Sequence, residues 1–227
     1  RQESFSFELE PGSSVYPIMV QSAGTTYGAA TINRAVSYAE ELGYHVVGGI
    51  NSDFFTLGNG IPNGISIEEG IYKSSPEGYH AISMVDGEMM LSASPQVEIT
   101  VTNERTGESV SLTHFNKWRN SSGGLYLFNE DFSTVSTHTD AAGGRMIRME
   151  VTQEDLDTPF TVNSTLELTV TEVFETADAV PIGENNYILT AAYDSGFSEL
   201  FASYQSGDSV TLTTSCTDSN LSQAQWA

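Results

Sequence analysis

The sequence predicts an α+β fold, a strand-rich mixed-sheet domain with one principal helix at about residues 30–42 packed on the sheet. Most of the chain alternates apolar and polar residues over strand-length segments, and glycine-containing turns separate these segments. One segment, ATINRAVSYAEELG, instead places apolar residues at clear helical spacing. A chain of 227 residues is also long enough to bury a sizeable core.

The principal helix is predicted from its apolar face and from its C-terminal end. Ile32, Val36 and Ala39 recur at helical spacing, and Gly43 is a natural stop. The apolar run YHVVGGI, at 44–50, follows at once and has the length of a strand. We therefore expect the apolar face of the helix to be buried against a sheet that contains strand 44–50.

Three hairpins and four further strands are predicted from alternating patterns and turn residues. The hairpin turns fall at Glu68 to Gly70, at Asp86-Gly87 and near Thr106-Gly107. The four further strands are RMIRMEVT, STLELTVTEVFET, NYILTAAY and DSVTLTTSC. A second, shorter helix is predicted in SELFASYQSG, with Ser198 as its cap and Gly207 as its stop.

The end of the sequence predicts a fold that continues beyond Ala227. Trp226 is a large apolar side chain beside an abrupt end, where a frayed terminus usually has none. We expect strand 209–215 to lie beside strands that the sequence does not contain, or to leave an uncovered apolar edge. Residues 1–227 then form a single domain that is part of a larger fold.

Composition argues against several classes of function. Thirty Asp and Glu against eight Lys and Arg give a formal net charge of -22, which repels nucleic-acid phosphates and anionic membranes. The sequence has no stretch of about 18 apolar residues, so no membrane insertion is expected. Cys216 is the only cysteine, so an intrachain disulfide is excluded. The four histidines lack metal-ligand spacing, and neither a metal nor another cofactor is predicted.

One short segment, GGINSDFF, collects polar groups directly after the predicted strand. Asn51 supplies an amide, Asp53 a carboxylate, and Asn63 of the nearby Pro-Asn-Gly loop a second amide. We expect these three to converge on one concave surface, with Phe54 or Phe55 beneath it. The same residues also suit a purely structural role, in which the polar groups satisfy turn amides and the two rings fill the core.

The order of the motifs resembles the phosphodiester glycosidase family, which includes a lysosomal enzyme that uncovers mannose 6-phosphate and many exported bacterial proteins. GGINSDFF followed by GIPNGISIEEGIYKS resembles the family's first motif, Asn-Gly-x-Phe-Phe after a strand, then Pro-x-Gly and a short hairpin. Three later segments resemble later parts of the family pattern in the same order: HAISMVDGEMML, GGLYLFNEDFSTVSTHT and NYILTAAYDSGFSELFASYQSGDSVTLTTS. The resemblance thus covers most of the chain.

The sequence departs from the family pattern at three points. Ser52 stands where glycine is usual, and His80 stands near where an arginine is often expected. The family's second half, with its Asp-Gly-Gly-Gly-Ser motif, is absent from the 227 residues. The resemblance therefore implies the N-terminal portion of such a domain, with an active site that a C-terminal half, for example a separate chain, would complete.

The resemblance implies hydrolysis of the bond between a sugar anomeric carbon and a phosphodiester. Asp53 is the candidate catalytic residue, which would polarise water or a hydroxyl or hold the loop. The candidate substrate-binding residues are Asn51, Phe54, Phe55, Asn63, Gly64 and His80. The expected partner is a carbohydrate or sugar phosphate, and the expected location is outside a bacterial cell or on its surface. The rival interpretation is a non-catalytic carbohydrate-binding or cell-envelope module on the same scaffold.

The sequence identifies no acid–base pair for such a reaction. Glycoside hydrolysis usually needs a proton donor and a second carboxylate or a positioned water. Asp53 is the one carboxylate that the pattern places near the site, because Glu68 and Glu69 are expected to face water in their hairpin turn.

Overall fold

The computed structural model describes residues 12–21, 24–112, 114–119, 123–136 and 143–227. Within these ranges the helices are α1 (Ile32–Glu41), α2 (Ser198–Ser203) and α3 (Ser219–Ser222). The strands are β1 (Ser66–Glu68), β2 (Ile71–Ser74), β3 (Ala81–Val85), β4 (Glu88–Ser92), β5 (Glu98–Asn103), β6 (Glu108–Ser111), β7 (His114–Phe115), β8 (Leu125–Phe128), β9 (Gly144–Val151), β10 (Thr165–Thr176), β11 (Asn186–Ala192) and β12 (Ser209–Ser215). The predicted α+β class is confirmed.

The larger sheet has eight strands in the order β6-β5-β12-β10-β9-β11-β8-β7. Its neighbours are antiparallel except for β7 and β8, which run parallel, so the sheet is mixed. The alternating segments form β5, β10 and β12 because successive side chains of a strand point to opposite faces. The three predicted hairpins, the four further strands and the second helix are confirmed. The predicted ends of the second helix are wrong, because Phe197 holds the cap position, Ser198 is the first helical residue, and the helix ends at Ser203, before Gly207.

Strand β12 lies inside the larger sheet and corrects one expectation. It pairs with β10 along one edge and with β5 along the other. The prediction that 209–215 has outside neighbours or an uncovered edge is therefore wrong, because both partner strands come from distant parts of this chain. A local pattern predicts that a segment is a strand, but it does not say which strands flank it.

Residues 225–227 join the hairpins β1–β2 and β3–β4 into one layer. The Ile67 amide donates to the Ala227 carbonyl at 2.8 Å, and the Ala227 amide donates to the Ile67 carbonyl at 3.0 Å. On the other side, the Met84 amide donates to the Trp226 carbonyl at 2.8 Å. The segment therefore works as a short middle strand, and the Trp226 side chain is buried within the layer.

Two clusters of apolar side chains form the core of the described residues. The larger cluster contains side chains from the larger sheet, from the layer of the β1–β2 and β3–β4 hairpins, and from α2 and α3. It includes Ile67, Val101, Leu168 and Phe201. The smaller cluster contacts the other face of β8, β9 and β11 and contains seven buried residues: Ile61, Tyr126, Phe128, Phe132, Met146, Ile182 and Ile188. Because Ile61 belongs to the smaller cluster, the loop that carries it is anchored to the larger sheet.

Helix α1 is confirmed, but its surroundings differ from the prediction. Ala39 is buried, whereas Val36 is half-buried and Ile32 is 47% exposed. Residues 44–50 form no strand, and Ile50 is 71% exposed. The predicted strand is therefore wrong, since an apolar run becomes a strand only where a neighbouring strand supplies hydrogen-bond partners.

The helix lies instead beside the turn of the β1–β2 hairpin. The Tyr38 hydroxyl donates to Glu68 at 3.0 Å, and the Tyr44 hydroxyl donates to Glu69 at 2.5 Å. Glu68 is buried, so the expectation that it faces water is wrong; Glu69 is exposed as expected. Burial raises the pKa of Glu68, while the Gln21 amide and the Tyr38 hydroxyl oppose this by donating to its carboxylate.

Candidate functional site

The candidate segment folds back on itself as a hairpin-like loop from residue 54 to residue 63. The Asn63 amide donates to the Phe54 carbonyl at 2.9 Å, and the Thr56 amide donates to the Ile61 carbonyl at 2.9 Å. The turn is closed by the Gly60 amide, which donates to the Thr56 carbonyl at 3.0 Å. Since Ile61 is buried in the smaller core cluster, the loop is anchored at its far end.

Asp53 is fixed against the Pro-Asn-Gly loop. The Gly64 amide donates to Asp53 Oδ2 at 2.7 Å. A Cβ atom on Gly64 would lie 2.9 Å from the same oxygen, closer than real Cβ contacts, so glycine lets the carboxylate approach. The structure therefore brings Asp53, Asn63 and Gly64 together through the backbone, although no strand precedes them.

Phe54 and Phe55 do not lie beneath the site as expected. Phe54 is 77% exposed and Phe55 is 40% exposed. The backbone of Phe55 pairs with that of Pro62 across the two arms of the loop, and the rings of Phe54 and Phe55 both lie at the surface. Asn51 is also exposed, at the end of the irregular segment that replaces the predicted strand. The expectation of Phe residues as core plugs is wrong, because Ile61 is the side chain of this loop that enters the core.

An open depression of about 410 Å³ lies beside Asp53. It is lined by two short segments, Ser52 to Phe54 and Gly78 to His80. The rings of Phe54 and Tyr79 are both exposed there, and His80 Nδ1 lies 3.5 Å from Ser94 Oγ. The depression thus combines a carboxylate, an imidazole and two accessible aromatic rings, a set that suits a ligand with polar groups and an apolar face.

Lys117, which sequence reasoning missed, lies behind this loop. Its side chain is buried, and its ammonium donates to the Pro62 carbonyl at 2.5 Å and to the Gly64 carbonyl at 2.9 Å. These acceptors are 55 and 53 residues away in sequence, so no local pattern identifies them. The single signal in the sequence is a lysine between Asn116 and Trp118.

A buried amide network fixes the backbone that carries Lys117. Asn116 has a left-handed backbone, with φ of 50°, and its side-chain amide donates to the Lys73 carbonyl at 2.8 Å and to Asn129 Oδ1 at 2.6 Å. Asn129 Nδ2 in turn donates to Asp131, which pairs with Lys73 at 2.5 Å. The network joins β2 to the ends of β7 and β8, so the position of Lys117 is set by three strands.

The charges around Lys117 come from three parts of the chain. Burial lowers the pKa of Lys117 to about 8, and the carboxylates of Glu77 and Asp53 oppose this change. On the β7 side, His114 is close enough for the Lys117 charge to lower its pKa, in addition to the larger effect of its own burial. Glu77 precedes the Gly78 to His80 segment that lines the depression, and Asp53 belongs to the other lining segment, so both carboxylates that attract the ammonium come from the walls of the depression or the residue next to them.

Two further properties concern the described residues as a whole. Within those ranges, no group of three or more His, Cys, Asp or Glu side chains is arranged to hold a metal ion. None of the helices described there is long and apolar enough to cross a membrane.

Comparisons with known proteins identify the fold but no family. No family model matches the chain, and no curated protein matches it. A hypothetical protein from Synechocystis has a similar structure, with a TM-score of 0.57 at 14% identity over 78% of this chain and 30% of that chain. A candidate exported protein from Burkholderia pseudomallei gives a TM-score of 0.49 at 16% identity, over 76% of this chain and 38% of that chain.

The likeness to the Synechocystis protein concerns the fold alone. At 14% identity it says nothing of the residues that bind or react, and it agrees with the α+β architecture described above. This chain spans 30% of the length of that structure. Activity, substrate and partners therefore have to be argued from the site.

Proposed function

We propose that this chain forms part of a hydrolase of the phosphodiester glycosidase type, which cleaves the bond between a sugar anomeric carbon and a phosphodiester. The ordered motifs that resemble that family support the proposal. The observation that carries it is the position of Asp53, whose carboxylate borders an open depression and is held by the Gly64 amide at 2.7 Å. A carboxylate that is both fixed and accessible to water is what a reaction at an anomeric carbon requires.

The rest of the depression fits a sugar with a charged leaving group. Phe54 and Tyr79 have exposed aromatic side chains in the walls of the depression, and the apolar face of a pyranose can stack on such rings. His80 lies in the same wall as Tyr79 and can donate to a phosphate oxygen or a sugar hydroxyl. In this proposal Asp53 polarises water or stabilises positive charge at the anomeric carbon, and a phosphodiester leaves without a strong general acid.

Two parts of the proposal concern the protein beyond this site. We propose that a C-terminal half, in the same chain or in a second one, completes the active site, because the resembled family carries further site residues there. We also propose that the protein works outside a bacterial cell or at its surface, as the exported members of that family do.

The test is turnover of the methyl diester of N-acetylglucosamine 1-phosphate by the full-length gene product and by Asp53→Asn. The variant keeps the shape of the side chain and removes its charge, so turnover should fall about a hundredfold or more while the protein stays folded. Asp157→Asn, at an exposed position, is the matched control and should keep full turnover. Equal turnover by wild type and Asp53→Asn would contradict the catalytic role of Asp53.

The exposure of Phe54, at 77%, favours a second candidate function, a carbohydrate-binding module without catalysis. In that case Phe54→Ala should weaken binding of the same diester by about tenfold or more, because stacked aromatic rings are anchors of such sites. Wild-type protein should then bind the diester without hydrolysing it, and Asp53→Asn should change binding far less than Phe54→Ala does.

A further inference from the structure

The Pro62–Gly64 loop lies between a buried cation and a carboxylate. Its carbonyl oxygens at Pro62 and Gly64 accept from the Lys117 ammonium, and its Gly64 amide donates to Asp53. The carbonyl ends of the peptide dipoles thus face the positive charge, and an amide end faces the negative charge. Each charge is stabilised by this orientation, because hydrogen bonds to ionised groups are stronger than those between neutral groups.

This arrangement ties the position of Asp53 to the ammonium of Lys117. Lys117 is 1% exposed, so water cannot replace it as the donor to the two carbonyls. If that donor is lost, the carbonyls at Pro62 and Gly64 are left buried without it, and the loop has to shift to satisfy them. A shift of Gly64 moves the amide that holds Asp53, since Gly64 both accepts from Lys117 through its carbonyl and donates to Asp53 through its amide.

We infer that Lys117 is a positioning residue of the candidate site: from behind the loop, its ammonium fixes the Gly64 amide and thereby the Asp53 carboxylate at the edge of the depression. The inference rests on the proposed function for what Asp53 does, but the coupling between Lys117 and Asp53 can be measured without any substrate.

The coupling has a signature in pH because the ammonium is buried. The pKa of Lys117 is lowered to about 8 by its burial, so the charge is present below pH 8 and is lost as the pH rises above it. Asp53 and Glu77 attract the charge, while His114 on β7 lies close enough to be affected by it. A neutral amine can still donate to the two carbonyls, but these hydrogen bonds are weaker than those of the ammonium, so the loop is fixed less firmly.

The first experiment is a titration of the lysine side chains by NMR in protein labelled at lysine Cε. The sequence contains two lysines, Lys73 and Lys117, so Lys117→Met assigns both signals. We expect a midpoint near pH 8 for Lys117, and in Asp53→Asn a midpoint lower by about half a unit or more, because an attracting carboxylate has been removed. The control Glu154→Gln, at an exposed position, should leave the midpoint unchanged.

The second experiment is the pH profile of diester turnover for wild type and Lys117→Met. Wild-type turnover should fall as the pH rises through about 8, whereas Lys117→Met should be about tenfold or more slower at pH 7 and should lack this alkaline fall. A merely structural lysine would leave the alkaline fall in place at a lower rate. If Lys117→Met does not fold, the titration of Asp53→Asn decides the question.

The two experiments separate the inference from the proposed function. A Lys117 midpoint that is the same in wild type and Asp53→Asn overturns the inference, whatever the turnover. An alkaline fall that persists in Lys117→Met overturns it as well. A coupled midpoint in a protein that does not hydrolyse the diester supports the inference and contradicts the proposed reaction instead.

Discussion

The C-terminal segment provides a direct test of how the smaller layer is held together. Trp226 is 5% exposed, and its ring meets the ring of Tyr44 at a centroid distance of 5.8 Å in an edge-to-face arrangement. The backbone hydrogen bonds of this segment to Ile67 and Met84 do not depend on the side chain. Trp226→Ala therefore removes the ring and leaves the middle strand able to pair, so it isolates the contribution of side-chain packing.

The expected loss follows from the burial of a large aromatic side chain. Removing such a ring from a core costs about 3–5 kcal/mol in the free energy of unfolding, through lost apolar burial and the cavity left behind. For a chain of this size the loss corresponds to a fall of about 6–20 °C in melting temperature. Urea unfolding, followed by circular dichroism, measures the free energy, and calorimetry measures the melting temperature.

A matched aromatic control separates packing from general loss of apolar surface. Phe54→Ala removes a ring that is 77% exposed, and it should change the free energy of unfolding by less than about 1 kcal/mol. A loss below about 1 kcal/mol for Trp226→Ala as well would refute the reasoning, since the ring could not then be a buried part of the layer. A loss of more than 3 kcal/mol for both variants would refute the description of Phe54 as exposed.

Two further variants test single contacts. The guanidinium of Arg105 holds the pKa of Asp208 at about 2, below its usual range, so the pair stabilises the fold above pH 4 and this stabilisation is lost as the pH falls through 2. Asp208→Asn should therefore lower the free energy of unfolding by about 1.5–3 kcal/mol at pH 7 and by much less at pH 2, as urea curves at the two pH values would show. Gly64→Ala should slow diester turnover by about tenfold or more, because its Cβ would lie 2.9 Å from Asp53 Oδ2 and would displace the carboxylate from its place beside the depression. Turnover equal to wild type would show that the reaction does not need the carboxylate in that position.

The hairpins were predictable from sequence because their turns have a local cause. Asp86 and Gly87 both have positive φ, at 50° and 81°, and Glu69 and Gly70 do as well, at 51° and 81°. Two-residue hairpin turns of this type match the twist of the strands, and glycine adopts the required backbone without a steric penalty. Asp-Gly and Glu-Gly between alternating segments therefore carry enough information to place both turns.

The failures of prediction share one cause, contacts between distant parts of the chain. Residues 44–50 have the composition of a strand, but none of the strands in the described parts of the chain pairs with them. Glu68 has the position of a turn residue, yet it is buried by Tyr38 from helix α1 and by the segment that contains Trp226. Strand β12 was recognised, but its neighbours were not. Each outcome depends on which segments meet in three dimensions, and local periodicity does not contain that information.

The candidate site was predicted in part of its residues and not in its support. Asp53, Phe54 and His80 line the depression, whereas Asn51, Phe55, Asn63 and Gly64 do not. The sequence singled out Asp53, Asn63 and Gly64, and the structure brings these three together. The sequence pattern, however, predicted these residues at the end of a strand, whereas in the structure Asp53 is held by a loop. Lys117 was missed because a buried lysine is recognised from its acceptors, and its acceptors are backbone carbonyls that any residue could provide.

Support by a loop makes the geometry of Asp53 depend on a small number of separable contacts. Ile61 anchors the far end of the loop in the smaller core cluster, and the Asn63 amide ties the near end to Phe54. The Gly64 amide then holds the carboxylate, with Lys117 behind it. Loss of Ile61 packing would lower the stability of the whole fold, whereas loss of the Lys117 charge would move the carboxylate within an intact fold. The two kinds of contact are therefore distinguishable by experiment, which would not be so if Asp53 were carried directly by a strand of the core.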